Sequence, residues 1–312
     1  MLRQTLLVIA GLVSASQAYA QDERWFEVEV YLFERNNSQS QEAVPEHVSI
    51  KQPKKLVDLI SPIFSTNITG ASLSLEGCSS HDWVTNADMC NEQLKSAQMD
   101  HPSHIPVNIA AASEQYGVPY GPAVLLGTNQ NQFTDLINKL SREKGNKSLL
   151  HMTWQQSMLP RHRAKAVRLF SGQDYSSRFK LNGQSVSSQK PETDIPQFDF
   201  LSSFSTEESK PVWKLDGSLN IYLDHYLYVE TALNLREEGT KKLAVMRGHN
   251  PFKYSEADLS TPFLYAIPMK QNRRVRSDEI HYFDHPKMGM VLQIRKMQQP
   301  IDREKVPATE PL

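Results

Sequence analysis

The longest alternation of apolar and polar residues in this chain runs from Trp213 to Arg236, WKLDGSLNIYLDHYLYVETALNLR. A period of two predicts β-strands, and a polar break near the middle predicts that two strands form a hairpin. Every second residue of each arm belongs to a mostly apolar set: Leu215, Gly217, Leu219, Ile221 and Leu223 in the first arm, and Leu227, Val229, Thr231, Leu233 and Leu235 in the second. The two sets must therefore face one core.

The length of the connection decides whether the two sets share a face. A two-residue turn would pair Leu223 with Tyr226 and place the sets on opposite faces of the hairpin. A three-residue connection beginning at Asp224 solves this and makes four pairs: Leu223 with Leu227, Ile221 with Val229, Leu219 with Thr231 and Leu215 with Leu235. The opposite face is then polar, carries the pair Tyr222 and Tyr228, and meets water or a ligand.

The first twenty residues have the pattern of a secretory signal peptide. Arg3 precedes an apolar run from Leu6 to Val13, and Ala18-Tyr19-Ala20 forms an A-x-A cleavage site. The run is too short to span a bilayer, and no other segment approaches the roughly 20 apolar residues that a transmembrane helix needs. Gln21 rather than a cysteine follows the cut. We expect a soluble exported chain, cleaved after Ala20 and without a lipid anchor there.

Composition sets few further limits. The chain of 312 residues is 39% hydrophobic and 22% charged, which is ordinary for a soluble globular protein. With 34 basic and 35 acidic residues, its net charge of −1 selects no partner and does not point to nucleic acid. We expect one domain at residues 21–299, long loops at about 35–130 and 172–210, and a disordered tail at 300–312.

Cys78 and Cys90 are the only cysteines. Export to an oxidising compartment favours a disulfide between them, and two free thiols are the alternative. A single pair of cysteines eleven residues apart, without a companion pair, is not a zinc signature.

Other segments predict an α+β fold, with one mainly antiparallel, curved sheet of about seven strands and one or two packed helices. Phe133, Leu136, Ile137 and Leu140 have the spacing of a helix whose apolar stripe lies on the sheet, and Gly145 is placed to end it. A short helix is also predicted at Lys54–Ile60. Further strands are predicted at Trp25–Glu34, Leu149–Gln156, Lys241–Met246, Pro262–Ile267 and Met290–Met297. In the last hairpin, a five-residue turn from Asp284 to Met288 would place Tyr282 opposite Met290 and Ile280 opposite Leu292.

Two groups of arginines are the best candidates for a binding site: Arg161, Arg163 and Arg168, and Arg273, Arg274 and Arg276. Clustered guanidinium groups hold carboxylates through paired hydrogen bonds. Two structural roles compete with this interpretation. The first group can protect an edge strand from aggregation, and the second can form salt bridges with Asp278, Glu279 and Asp284.

The sequence carries none of the common catalytic or nucleotide-binding motifs. His281, Asp284 and His285 are residue types that bind transition metals, but His281 and His285 would lie about 13 Å apart along a strand. Histidines bonded to backbone or carboxylate groups in a tight turn are the favoured alternative, so no metal is expected.

The run from Arg273 to Pro286, RRVRSDEIHYFDHP, resembles the CsiV family of periplasmic proteins. The opening strand from Trp25, the block from Leu150 to Arg168, and the segment from Trp213 to Tyr222 are similar to the family as well. The resemblance implies a periplasmic, non-enzymatic, peptidoglycan-binding protein. It also implies support of cell-wall synthesis through the lipoprotein activator of a bifunctional penicillin-binding protein, with no cofactor.

The physical chemistry of the wall is compatible with this family. Arginines can hold the stem-peptide carboxylates, and aromatic rings can cover the sugars. The expected binding residues are therefore the two arginine groups together with Tyr282. A protein-interaction adaptor without glycan binding is the main alternative, and a cell-wall hydrolase is a further one.

Overall fold

The structure, a computed structural model, describes residues 23–36, 53, 55–64, 84–86, 102–186, 210–242 and 260–300. Twelve strands lie in these ranges: β1 Arg24–Arg35, β2 Leu56–Val57, β3 His104–Ile105, β4 Asn108–Ile109, β5 Val124–Leu125, β6 Asn146–Met158, β7 Ala166–Asp174, β8 Trp213–Leu223, β9 Leu227–Lys242, β10 Ser260–Val275, β11 Ile280–Asp284 and β12 Met288–Lys296. The helices are α1, Ser61–Phe64, and α2, Thr134–Arg142, with a 3-10 turn at Thr128–Gln130.

The strands form two six-stranded sheets. Sheet A has the order β11-β12-β1-β6-β4, with β5 also paired to β6, and sheet B has the order β10-β9-β8-β7-β2, with β3 also paired to β7. The pairs β2–β7 and β4–β6 are parallel, and the others are antiparallel. The expectation of mainly antiparallel pairing holds in part. The expectation of one sheet of about seven strands is wrong.

One hydrophobic core fills the space between the sheets. Sheet A contributes the apolar face of β1, including Val28 and Val30, and sheet B contributes the apolar face of the β8–β9 hairpin. Consecutive strands lie in different sheets at β1–β2, β3–β4, β6–β7 and β10–β11. Two sheets form because each long strand has an apolar face to bury, and one helix of nine residues cannot cover all of them.

The predicted hairpin register is confirmed. Leu223 pairs with Leu227, Ile221 with Val229, Leu219 with Thr231 and Leu215 with Leu235, as the three-residue connection requires. Tyr222 and Tyr228 are cross-strand neighbours on the other face, as predicted. However, Tyr222 is only 4% exposed, because residues of the β6–β7 turn lie against this face. The expectation that Tyr222 lies in solvent is therefore wrong.

Helix α2 packs on the outer face of sheet A, as its apolar stripe predicted. Phe133 and the half-buried Leu136, Ile137 and Leu140 contact a cluster formed by Tyr31, Phe33 and Val291. The helix ends at Arg142, where the N–H of Glu143 donates to Leu140. Gly145 follows with φ +94°, a conformation that favours glycine, and its carbonyl accepts the N–H of Asn36 at 2.7 Å. The chain thus turns from the helix into β6.

The helix expected at Lys54–Ile60 is wrong. Leu56 and Val57 form β2 and pair with β7, and the helical turn α1 begins only at Ser61. Asp58 sets this start, because its Oδ1 atom accepts the N–H groups of Ile60 and Ser61 at 2.9 Å each.

The last hairpin differs from its predicted register by one residue. Tyr282 pairs with Val291 and Phe283 with Met290, because only four residues separate the paired ends Asp284 and Gly289. Phe283 therefore enters the core, and Tyr282 turns outward. The predicted signal peptide, the disulfide between Cys78 and Cys90, and the tail after residue 300 lie outside the described residues. The first two residues of the strand expected at Lys241–Met246 are the end of β9, and the rest of it lies outside the described residues as well.

Gly217 on β8 gives a direct test of the hairpin packing. A Cβ atom there would lie 2.2 Å from the carbonyl oxygen of Ala232 and 2.6 Å from the Cα of Leu233. These are backbone atoms that cannot move away alone, so Gly217→Ala should lower the free energy of unfolding by about 1 to 3 kcal/mol. Urea denaturation measures this effect.

The matched control for Gly217→Ala is Gly127→Ala. At Gly127 the nearest atom to an added Cβ is 3.9 Å away, and φ is −75°. The control should be close to neutral. Equal losses in the two variants would contradict the close approach of β8 and β9.

Candidate functional site

Three tyrosines concentrate on the outer face of sheet B at the tip of the β8–β9 hairpin. Tyr222 and Tyr228 stack with ring centroids 5.2 Å apart and an interplanar angle of 14°. Tyr226, in the connection between the strands, is 51% exposed. With Arg161 and Arg274 these residues form what we call the tyrosine face.

Each arginine of the tyrosine face lies over a ring. The guanidinium carbon of Arg161 is 5.6 Å from the ring centroid of Tyr222, and that of Arg274 is 4.1 Å from the centroid of Tyr226. Arg274 is also the cross-strand neighbour of Tyr228. Cation–π contacts of this kind hold a long side chain in place while leaving its edge N–H groups open to a ligand.

The two arginines differ in their charge partners. Glu230 accepts hydrogen bonds from Arg161 Nη2 at 2.6 Å, from Asn220 Nδ2 at 3.2 Å and from Asn272 Nδ2 at 3.1 Å. Arg161 is thus paired and fixed. Arg274, by contrast, has no carboxylate within 4.0 Å among the residues that the structure describes. An exposed and oriented guanidinium beside Tyr226 and Tyr228, unpaired within those residues, is suited to an anionic ligand with flat or ring-shaped parts.

The structure brings together only part of the predicted arginine site. Arg163 lies on the other side of the β6–β7 turn, 3.6 Å from Glu23. Arg168 lies between Asp58, at 3.6 Å, and Asp216, at 3.5 Å, with its guanidinium carbon 4.5 Å from the ring centroid of Phe170. Its contacts are those of a structural arginine.

The second predicted group is similarly divided. Arg273 donates to the carbonyl oxygen of Tyr282 at 3.1 Å and so joins the edges of the two sheets. Arg276 pairs with Glu279 at 3.5 Å beyond the end of β10. Tyr282 donates to Asp284 at 2.9 Å, and burial together with this hydrogen bond raises the pKa of Tyr282 to about 12. Of the seven predicted residues, Arg161 and Arg274 meet on one face.

The three residues weighed as metal ligands have other partners. His281 Nε2 accepts the N–H of Arg276 at 3.0 Å, Asp284 binds Arg35 at 2.7 Å, and His285 Nδ1 accepts the N–H of Lys287 at 3.2 Å. Within the described ranges, no group of three or more His, Cys, Asp or Glu side chains is arranged to hold a metal ion.

Sequence reasoning missed Tyr226 and Glu230 as parts of the site. The signal was present in YLDHYLY, which places three tyrosines within seven residues around a turn. The alternation of apolar and polar residues placed Tyr222 and Tyr228 on one face of the hairpin, but it gave no reason to include Tyr226, which lies in the turn, in a binding site. Only the pairing of β9 with β10 shows that Arg274 joins them.

A second concentration of charge lies on the outer face of sheet A, under the segment that precedes α2. Glu29 is 0% exposed and accepts hydrogen bonds from Arg295, from His151 Nε2 at 2.9 Å, and from the N–H groups of Gln132 at 2.9 Å and Phe133 at 2.8 Å. Burial alone would raise the pKa of Glu29, but these hydrogen bonds outweigh it and lower the pKa below its ordinary value.

The Glu29 contacts are structural. The carboxylate lies at the N-terminal end of α2, where it satisfies backbone N–H groups and interacts favourably with the helix dipole. Arg295 also binds Glu27, and His151 Nδ1 lies 2.8 Å from Asn108 Oδ1. The cluster therefore fastens α2 and the chain before it to sheet A.

The outer face of sheet B thus offers a ligand an exposed tyrosine ring and an arginine that is unpaired within the described ranges. None of the helices in the described ranges combines the length and the apolar content needed to cross a membrane. The family model described as "Peptidoglycan-binding protein, CsiV" matches residues 2–297. The chain belongs to the CsiV family. The same comparisons found no match among curated proteins or among solved structures.

Proposed function

We propose that the protein is a non-enzymatic, periplasmic peptidoglycan-binding protein that contacts the wall through the tyrosine face. The observation that carries this proposal is Arg274, an exposed guanidinium that has no carboxylate partner among the described residues and is held at 4.1 Å over Tyr226. The family's description as peptidoglycan-binding supports the ligand class. The proposed binding domain covers residues 21–299 after a signal peptide cleaved at Ala20.

The chemistry of the wall suits this surface. Stem peptides carry carboxylates, which a guanidinium binds through two parallel hydrogen bonds, and sugar rings present C–H faces that pack on tyrosine. Glu230 keeps Arg161 in place over Tyr222, so the stacked rings hold a fixed orientation. Arg274 then supplies the charge that the ligand meets.

The proposal also includes a partner. The resemblance of the Arg273–Pro286 run to the family favours action through the lipoprotein activator of a bifunctional penicillin-binding protein. An adaptor that binds only that lipoprotein is the second candidate. A hydrolase is the third, and it would need two carboxylates flanking a cleft, roughly 5 to 10 Å apart.

Replacing Arg274 with alanine should weaken binding to purified sacculi at least about tenfold, since a charge-assisted hydrogen bond contributes about 1.5 to 3 kcal/mol. Co-sedimentation at graded protein concentration measures the affinity. Wild-type binding should also weaken as salt is raised, because exposed charges are screened over about 8 Å at physiological ionic strength. The melting temperature of Arg274→Ala should stay near that of wild type, because the side chain is exposed.

Arg142→Ala is the matched control, since Arg142 is an exposed arginine on α2, against the other sheet. It should bind sacculi as wild type does. Equal binding by Arg274→Ala and Arg142→Ala would remove the tyrosine face from the proposal. Wild type that stays in the supernatant would favour the adaptor, and release of soluble muropeptides from sacculi would favour the hydrolase.

A further inference from the structure

An open cleft of about 360 Å³ lies on the other side of the β6–β7 turn from the tyrosine face. Its walls are the segment from Tyr120 to Ala123, the strand β2 with Lys55 before it, and the turn itself with Arg163 and Lys165. Arg161 and Arg163, two residues apart, thus direct one guanidinium to each surface. The turn is shared by the cleft and the tyrosine face.

The cleft is positively charged. Lys55, Arg163 and Lys165 line it against one carboxylate, Glu23, which is 3.6 Å from Arg163. Neither lysine has a carboxylate within 4.0 Å in the described part of the chain, and both are exposed. Unpaired ammonium groups on facing walls favour an anionic occupant.

An aromatic ring is held at the rim of this cleft by an unusual turn. Val118 to Gly121 forms a four-residue turn closed by a 2.9 Å hydrogen bond from the N–H of Gly121 to Val118, with Pro119 in the second position. Tyr120 occupies the third position with φ +60°. A type II turn requires positive φ there and normally uses glycine. The strained backbone keeps a ring that is 76% exposed beside the cleft.

The turn is also fixed from beneath. The N–H of Gly117 donates to Gln155 Oε1 at 2.9 Å, and Gly117 lies so close to Trp25 that an added Cβ would be 2.2 Å from the indole ring. The rim tyrosine is therefore positioned by sheet A. It is not the tip of an unattached loop.

Gln156 adds a polar group to the lining. It is 7% exposed, and its Oε1 atom accepts the indole N–H of Trp154 at 2.6 Å. Its Nε2 atom donates only to the sulfur of Met158, at 3.5 Å, within the described residues. A thioether is a weak acceptor, so this nearly buried amide retains donor capacity for a polar ligand.

We propose that this cleft is a second subsite and that it binds a disaccharide-peptide unit of the wall by its free stem-peptide carboxylates. Lys55 and Lys165 hold the carboxylates, Gln156 donates to a peptide or sugar oxygen, and the Tyr120 ring covers the adjoining sugar. The proposal rests on the proposed function, because it names the part of peptidoglycan that one site recognises. The glycan strand can reach both surfaces across the shared β6–β7 turn.

The test uses the disaccharide tetrapeptide that a muramidase releases from purified sacculi, titrated into the mature protein and followed by backbone amide NMR. Amides of Gly121 and Ser157, which line the cleft, should shift as the fragment saturates. The double variant Lys55→Gln and Lys165→Gln should lose at least tenfold in affinity at these amides. The exposed helix residue Lys139, changed to Gln, is the matched control and should leave the affinity unchanged.

Tyr120→Gly separates ligand contact from folding. Glycine adopts positive φ without strain, which offsets the greater entropy that it gives the unfolded chain, so this variant should melt close to wild type while losing several-fold in affinity for the fragment. A disaccharide without its peptide should bind the wild type and the double lysine variant equally weakly. Full affinity in both the Tyr120 and the lysine variants would overturn the assignment.

The failure of this inference is distinguishable from the failure of the proposed function. If wild type sediments with sacculi but saturating fragment leaves the Gly121 and Ser157 amides in place, the cleft is not a subsite. If wild type does not sediment and no amide shifts, peptidoglycan binding itself is wrong.

Discussion

Replacing Arg295 with methionine should lower the free energy of unfolding by about 3 to 5 kcal/mol, the cost of leaving a buried charge without its partner. Arg295 binds both Glu27 and the fully buried Glu29, and methionine keeps the apolar stem while removing the guanidinium. Since α2 starts on the same carboxylate, its docking should weaken as well. Urea denaturation at pH 7, followed by circular dichroism, measures the loss.

The pH dependence identifies the charge that is responsible. Folding lowers the pKa of Glu29 below its ordinary value of 4.5, so this carboxylate stabilises the fold above that pH. The contribution is lost as pH falls through the lower, folded pKa. The difference in unfolding free energy between wild type and Glu29→Gln should be steady near pH 7 and shrink in acid below about pH 4.5. A difference of equal size at pH 3 and pH 7 would mean that the charge of Glu29 does not stabilise the fold.

Ile221→Asp should prevent folding at room temperature. Ile221 faces Val229 in the core between the sheets, and an unpaired carboxylate there costs several kcal/mol in addition to the lost apolar contacts. Total stabilities are only about 5 to 15 kcal/mol, so little native protein should remain. Near-ultraviolet circular dichroism and a thermal melt report this directly.

Tyr226→Asp introduces the same carboxylate at an exposed position of the same hairpin. Its effect on stability should be within about 1 kcal/mol, as for most surface substitutions. If Tyr226→Asp unfolded the protein and Ile221→Asp did not, the assignment of Ile221 to the core would be wrong.

The hairpin was predictable because its information is local. The alternation of apolar and polar residues assigns each side chain to a face, and an odd number of residues in the connection is needed to bring the two apolar faces together. Ile221 and Val229 could therefore be paired from the sequence. The pairing of β1 with both β6 and β12 has no local signal, which is why one sheet was expected where two exist. The register of the last hairpin, by contrast, was predicted wrongly because the expected turn was one residue too long. One residue fewer in the connection placed Phe283, instead of Tyr282, opposite Met290.

The charged residues were harder to predict than the apolar ones. Glutamate is rarely buried without a partner, and nothing near Glu29 in sequence reveals that Arg295 lies beside it. For the same reason, composition could not separate Arg168, which is held by Asp58 and Asp216, from Arg274, which has no carboxylate partner in the part of the chain that the structure describes. Both belong to arginine-rich runs, and only the fold decides which guanidinium remains available.

The position of β1 between β6 and β12 has a consequence for how the protein reaches its native state. In sheet B, each of the strands from β7 to β10 pairs with the strand that follows it in the sequence. Most of this sheet can therefore form between neighbouring segments of the chain. β1 must instead wait for a partner about 260 residues further along the chain. Non-local closure of this kind slows folding, and the first strand to be synthesised is among the last to be fully paired. Until β12 is made, the edge of β1 that it will cover keeps its backbone N–H and C=O groups unpaired, and an open strand edge of this kind can pair wrongly with another chain.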